Sequence, residues 1–155
     1  MKMKKTAMVL TLALLAGCAA QQQGLRETDL RNPELMRGEK LIGMNFPKLQ
    51  GALFKHQAAC GEALAFKVDP GQTSYATIIY NPAGTDTLEH AVMLDLVQHK
   101  ANFLHDERVK ATIYTYYWNA DVEDSVDHVL RIFSHPELCK GDPTPAPEPK
   151  EQSAR

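Results

Sequence analysis

The chain is 155 residues long and carries 17 basic and 19 acidic side chains, for a formal net charge of −2. Nucleic acids and anionic membrane surfaces attract strongly basic proteins, so this balance argues against both as partners. The length suits one domain flanked by shorter segments.

The N-terminus joins three lysines among the first five residues to a short apolar run, residues 8–15. This run is too short to span a bilayer, which needs about 20 residues. It ends in Leu15-Ala16-Gly17-Cys18. The order of charge, apolar run, small residues and cysteine resembles the lipobox of bacterial lipoprotein precursors. The resemblance implies a signal peptide over residues 1–17, cleavage before Cys18, and lipid on the sulfur and amine of Cys18. The alternative is a core helix with a buried Cys18.

The same resemblance implies a location for the mature protein. Loss of the leader leaves 17 − 3 = 14 basic against 19 acidic residues, a net charge of about −5. Lipoproteins retained in the inner membrane tend to carry Asp after the lipidated cysteine, whereas this chain has Ala19. We therefore expect a lipid anchor in the outer membrane and a domain that faces the periplasm. Two or three acyl chains on one cysteine anchor stably, whereas one chain binds reversibly.

Two segments outside the domain are predicted from composition. Residues 18–32 are rich in Gln, Arg, Glu and Asp without a sustained apolar period, which predicts a flexible tether with an r.m.s. reach of about 20 Å. Residues 141–155 contain alternating prolines from Pro143 to Pro149, which predict an extended, disordered tail. Residues 33–140 remain as a single domain.

Capping residues and apolar spacing predict four helices in this domain. Asn32-Pro33 and Asn45 are typical helix starts. Asp86 with Glu89 forms a plausible capping box ahead of an apolar helical face. The predicted helices cover residues 33–43, 45–60, 86–97 and 121–133.

Three strands are predicted between these helices. Residues 63–68 and 74–80 are joined by Asp69-Pro70-Gly71-Gln72, which favours a type II turn, and residues 108–118 form the third strand. The order is then α-α-β-β-α-β-α. This order predicts an α+β fold with a small, three-stranded, antiparallel sheet covered by helices on one face. A right-handed crossover would place the strands in the order 2-1-3.

Export to an oxidising compartment decides how the two remaining cysteines are interpreted. An even pair there indicates a disulfide between Cys60 and Cys139. The bond would close a loop of about 80 residues and stabilise the domain by about 4–5 kcal/mol in the chain-entropy model. Unpaired thiols are the alternative.

Histidines near these cysteines suggest two further alternatives. His56 and Cys60 are four residues apart, as are His135 and Cys139, which is the ligand set of a Cys2His2 zinc site. Pro136 interrupts the second pair, and an oxidised pair offers zinc no thiolate. A Cys-His nucleophile likewise needs a reduced sulfur. We therefore expect no metal, no cofactor and no catalytic residues. The other four histidines are expected to be solvated or at the rim of the domain; they are His90, His99, His105 and His128.

The third predicted strand carries an unusual number of aromatic residues. Strict alternation separates two faces: Val109, Ala111, Ile113, Thr115 and Tyr117 on one, and Lys110, Thr112, Tyr114, Tyr116 and Trp118 on the other. If helices cover the first face, then Tyr114, Tyr116 and Trp118 face water as a candidate binding surface, because aromatic residues are favoured in interface hot spots. The alternative is cross-strand packing under the tether or a terminal helix.

These observations predict a non-enzymatic envelope lipoprotein that binds another envelope protein through the face or edge of its sheet. Accessory subunits of secretion, conjugation or envelope-assembly machines fit this description. One alternative is an immunity or inhibitor lipoprotein against a periplasmic toxin or hydrolase, since the acidic mature chain would suit a basic target. A second is a small enzyme or metal-binding protein that uses the histidines and cysteines.

Overall fold

The computed structural model describes residues 24–82, 87–103 and 106–143. The signal peptide and lipidated Cys18 of the sequence analysis lie outside these residues, as do Asp86, His105 and the tail beyond residue 143. The described elements follow in chain order: α1 Glu27–Leu30, a 3-10 turn Pro33–Leu35, β1 Met36–Ile42, α2 Phe46–Cys60, β2 Ala65–Val68, β3 Tyr75–Tyr80, β4 Val92–His99, β5 Arg108–Thr115 and α3 Ala120–Ile132.

The strands form one antiparallel sheet in the order β1-β5-β4-β3-β2. The α+β class and the antiparallel sheet are confirmed. The prediction of three strands in the order 2-1-3 is wrong, because two further strands, β1 and β4, replace two predicted helices. Since β4 lies between β3 and β5, hairpin connections replace the predicted crossover.

The helix predicted over residues 33–43 is only a single 3-10 turn. Asn32 caps that turn by accepting a hydrogen bond from the Glu34 N–H, as its sequence position suggested. The chain then becomes extended and pairs with β5, with a register shift between Met36 and Gly38. Gly38 has a φ of 152°, and glycine also lowers helix propensity by about 1 kcal/mol. Strand pairing therefore outweighs the local helix-start signal.

The helix predicted over residues 86–97 is instead β4, the central strand. Its consecutive residues Val92, Met93 and Leu94 are all buried, as is Leu96. A central strand covered on both faces has apolar residues on both faces, and such a run cannot be distinguished from a buried helix by periodicity alone. The mistaken assignment arose from this ambiguity.

The two longer helices, α2 and α3, agree with the ranges predicted from the sequence. Asn45 and Asn119 cap α2 and α3 by accepting hydrogen bonds from N–H groups of the first turn, and Gly61 ends α2 with a φ of 71°. Both helices cover one face of the sheet, which we call the inner face. The inner core includes the apolar residues Leu49, Leu53, Ile78, Leu94, Val109, Ile113, Val126, Val129 and Ile132.

The N-terminal segment packs on the opposite, outer face, although a flexible tether was predicted for residues 18–32. Leu30 is fully buried outside the inner core. The Arg31 guanidinium donates two hydrogen bonds to the Asp95 carboxylate, at 2.7 and 2.9 Å, and one to the Thr77 hydroxyl at 3.0 Å. The folded domain thus begins before Pro33, and five residues, 19–23, separate Cys18 from Gly24.

Candidate functional site

The outer face of the sheet is the first candidate site. Along β5, alternate residues from Val109 to Thr115 are buried under the helices, whereas Lys110, Thr112 and Tyr114 are partly exposed on the other side. This confirms the predicted alternation within the strand. β5 ends at Thr115, however, so Tyr114 lies in the sheet while Tyr116 and Trp118 belong to the connection to α3. The three predicted binding residues therefore do not form one row.

A groove remains open on the outer face beside the N-terminal segment. Its volume is about 570 Å³. We call it the sheet groove; its apolar lining includes Val68, Pro70, Tyr75 and Val97. Tyr75 is 44% exposed on this face, so apolar surface is accessible there. Such a concave, partly apolar surface can receive a side chain or short segment of a partner.

Ion pairs order the polar walls of the sheet groove. Arg31 pairs with Asp95 at 2.7 Å, and the hydrogen bonds that Arg31 donates to Asp95 raise the pKa of Arg31. At one rim the Lys67 ammonium lies 2.6 Å from the Glu27 carboxylate. At the other, the Lys110 ammonium lies 2.8 Å from the Glu39 carboxylate, and its hydrogen bond lowers the pKa of Glu39. The three cations of the groove are therefore each neutralised by a neighbouring carboxylate.

A second exposed surface is the aromatic loop, residues 116–118, in which each side chain is 41–48% exposed. The Tyr116 and Tyr117 ring centroids lie 4.9 Å apart, and the Tyr117 ring lies 5.2 Å from that of His90. The Arg37 guanidinium lies 5.6 Å from the Trp118 ring centroid and donates to the Thr115 and Tyr116 carbonyls. These contacts order the loop while leaving it accessible to a partner.

The aromatic loop lies at the end of the sheet where the N-terminal segment begins. Thr115, at the end of β5, pairs with Val92, at the start of β4. His90, in the connection just before β4, contacts the loop through Tyr117. Thr87 belongs to the same connection and lies beside Gly24. A Cβ atom added to Gly24 would lie 3.5 Å from the methyl carbon of Thr87. The first described residue and the aromatic loop therefore share one end of the domain.

A third candidate is a buried polar cluster that the sequence analysis did not predict; it consists of His56, Glu62, Tyr80 and His128. His56 belongs to α2, Tyr80 to the end of β3 and His128 to α3, while Glu62 follows α2. Both imidazoles are at most 1% exposed, so the expectation that His128 is solvated or at the rim of the domain is wrong. Three distant segments supply the two histidines and the tyrosine, and no short-range spacing could reveal them together.

The Glu62 carboxylate is the centre of this histidine–glutamate cluster. Its Oε2 lies 3.0 Å from Nε2 of His56 and 2.7 Å from Nε2 of His128. Its Oε1 accepts a hydrogen bond from the Tyr80 hydroxyl at 2.9 Å. Burial alone would raise the pKa of Glu62, but the hydrogen bonds from His128, His56 and Tyr80 lower it below the usual value. Burial and the hydrogen bond to Glu62 raise the pKa of Tyr80.

The disulfide between Cys60 and Cys139 is confirmed, and the Cα atoms of the two cysteines lie 5.5 Å apart. The bond lies beside the histidine–glutamate cluster. It joins the last residue of α2 to the segment after α3. In that segment the Pro136 carbonyl oxygen lies 3.0 Å from Nδ1 of His56. Because both sulfurs are bonded to each other, they offer no thiolate to the Cys2His2 zinc site considered above, nor to a Cys-His nucleophile.

Within the described ranges, no helix has the length and apolar character needed to cross a bilayer. Comparisons with protein-family models, curated proteins and solved structures find no significant match to this chain.

Proposed function

We propose that the protein is a lipoprotein anchored in the outer membrane through Cys18, facing the periplasm, and that it binds another envelope protein without catalysing a reaction. The observation that carries the binding proposal is the sheet groove. It has accessible apolar residues, and its polar walls are held in place by ion pairs. Preorganised surfaces of this kind lose little conformational freedom on binding.

The groove is a better binding site than the edges of the sheet. At one edge, β1 has an irregular register near Gly38 and carries Arg37, Glu39 and Lys40. At the other edge, β2 has four residues and includes Lys67. Short strands, irregular pairing and charged side chains are features that oppose addition of another strand. A partner is therefore expected on the outer face.

The chemistry of the groove indicates the partner's contact residues. Tyr75 and Val97 offer apolar contact, while the basic side chains of the groove, Arg31, Lys67 and Lys110, are already paired with carboxylates. A strongly basic partner would have to displace Arg31 from Asp95 or Lys110 from Glu39. Binding would then break an ion pair that the free protein already has. We therefore propose a partner that inserts an apolar or aromatic side chain, surrounded by neutral hydrogen-bonding groups. The inhibitor alternative, which depends on charge attraction to a basic target, gains no support from this groove.

The position of the aromatic loop supports the proposed anchoring. The five residues between Cys18 and Gly24 allow a reach of at most about 20 Å. With lipid on Cys18, the end of the domain that carries Gly24 would lie close to the membrane, and Trp118 and the two tyrosines would lie at that end. Tyrosine and tryptophan are favoured at the boundary between apolar and aqueous regions. The sheet groove would remain accessible from the periplasm.

A photo-crosslinking amino acid at Tyr75 or at Val97, its cross-strand neighbour on the outer face, tests the binding proposal in intact envelopes. Phe54 on α2 is the matched control, because it is 71% exposed but lies on the helical side. We expect one envelope protein to be crosslinked from both groove positions and not from Phe54. The purified partner should bind the wild type and the Phe54→Ala variant but bind Tyr75→Ala at least tenfold more weakly. Equal crosslinking from all three positions would contradict the proposal.

Intact-mass measurement tests the anchor separately. The expected product lacks residues 1–17 and carries diacylglycerol and an acyl chain on Cys18. A product that still begins at Met1 and carries no fatty acid would overturn the anchoring proposal, whatever the crosslinking result.

A further inference from the structure

We propose that His56, Glu62 and His128 form a zinc site. One ligand atom from each residue, the two imidazole nitrogens and a carboxylate oxygen, lies within 4.8 Å of the others. Two histidines and one carboxylate are a ligand set that zinc uses when a fourth position is left to water or substrate. This inference is independent of the lipid anchor and of the sheet groove.

The distances between the ligand atoms are close to those that zinc requires. Zinc–nitrogen and zinc–oxygen bonds are about 2.0–2.2 Å, so two ligand atoms on a tetrahedral ion lie about 3.4 Å apart. Oε2 of Glu62 lies 3.0 Å from Nε2 of His56 and 2.7 Å from Nε2 of His128. These two distances would have to grow by about 0.4 and 0.7 Å to admit the ion. The two imidazole nitrogens lie within 4.8 Å of each other and would come to about the same 3.4 Å separation.

The hydrogen bonding of His56 points to a cation between the imidazole and Glu62. A carbonyl oxygen can only accept, so Nδ1 of His56 carries the hydrogen that it donates to Pro136. The hydrogen bond from Nε2 of His56 to Glu62 then needs a second proton on the ring. Zinc would take the place of that proton, with the lone pair of Nε2 and Oε2 of Glu62 both as ligands. Zinc-bound histidines commonly donate their other ring N–H to a backbone carbonyl in this way.

The remaining surroundings also suit a metal. The Tyr80 hydroxyl donates to Oε1 of Glu62 at 2.9 Å, which orients Oε2 toward the two imidazoles. Both histidines are buried, whereas the Glu62 side chain is 29% exposed. That exposure provides a route for the ion and a place for a water ligand. Imidazole nitrogens favour zinc over calcium or magnesium, which prefer oxygen ligands.

Metal titration of the purified, chelator-treated full chain tests the proposal. We expect one equivalent of Zn²⁺ to bind by calorimetry, and Co²⁺ to give the visible absorption of a tetrahedral site. His56→Gln and His128→Gln should weaken binding at least 100-fold. Tyr80→Phe, which leaves the three ligands in place, should weaken it about tenfold. His99→Gln is the matched control, because His99 is exposed at the end of β4.

A second measurement uses only the wild type and so keeps the proposal testable if a variant does not fold. The melting temperature of the disulfide-bonded wild type should rise with the Zn²⁺ concentration, because an ion that binds only the folded state stabilises it. It should be insensitive to Mg²⁺. The proposal is overturned if the folded wild type binds less than 0.1 equivalent of either metal at about 100 μM, or if Glu62→Gln and His128→Gln fold and bind zinc as the wild type does. Either result would assign the cluster to hydrogen bonding alone.

Discussion

Replacement of both disulfide cysteines with serine should remove a large part of the stability of the domain. Cys60 and Cys139 are 79 residues apart in the sequence, and the intervening chain includes β2 to β5 and α3. In the chain-entropy model, a loop of this size reduces the entropy of the unfolded chain by roughly 15 cal/mol/K, or about 4.5 kcal/mol at 298 K. Domains of this size are stable by about 5–15 kcal/mol. The double variant is therefore expected to be only marginally folded.

Urea unfolding followed by circular dichroism measures this loss. The double Cys→Ser variant and the reduced wild type should have the same free energy of unfolding. This free energy should be about 4.5 kcal/mol lower than that of the oxidised wild type. Both cysteines are only partly buried, so serine should add little cost of its own. A loss below about 1 kcal/mol in both samples would refute the reasoning, because it would mean that the bond does not restrict the unfolded chain.

Three further predictions concern the outer face and the aromatic loop. Arg31→Met should cost about 1–2 kcal/mol by removing charge-assisted hydrogen bonds at a partly exposed site; hydrogen exchange in α1 should accelerate, whereas Lys55→Met, at an exposed position of α2, should leave it unchanged. Lys110→Met should raise the pKa of Glu39 toward its usual value, measured by an NMR titration; an unchanged midpoint would contradict the assigned hydrogen bond. Trp118 is the sole tryptophan, so its fluorescence should shift to the blue when the lipidated protein enters vesicles, but not when unlipidated protein is mixed with them.

Local signals predicted those elements whose residues interact with near neighbours in the sequence. Asn45 begins α2 because this cap bonds within the first turn of its own helix, and the apolar spacing of residues 121–133 predicted α3. The alternation of β5 is also local, since successive side chains of a strand point to opposite faces. The disulfide could be predicted because only two cysteines remained once Cys18 was assigned to lipid.

Tertiary structure decided the features that depend on distant partners. β1 and β4 have sequences that also fit helices, and pairing with β5 and β3 gives their backbone groups the hydrogen bonds that a helix would otherwise supply. The histidine–glutamate cluster and the sheet groove arise in the same way. Each combines residues from at least three separated segments, and only the packed fold determines which of them meet.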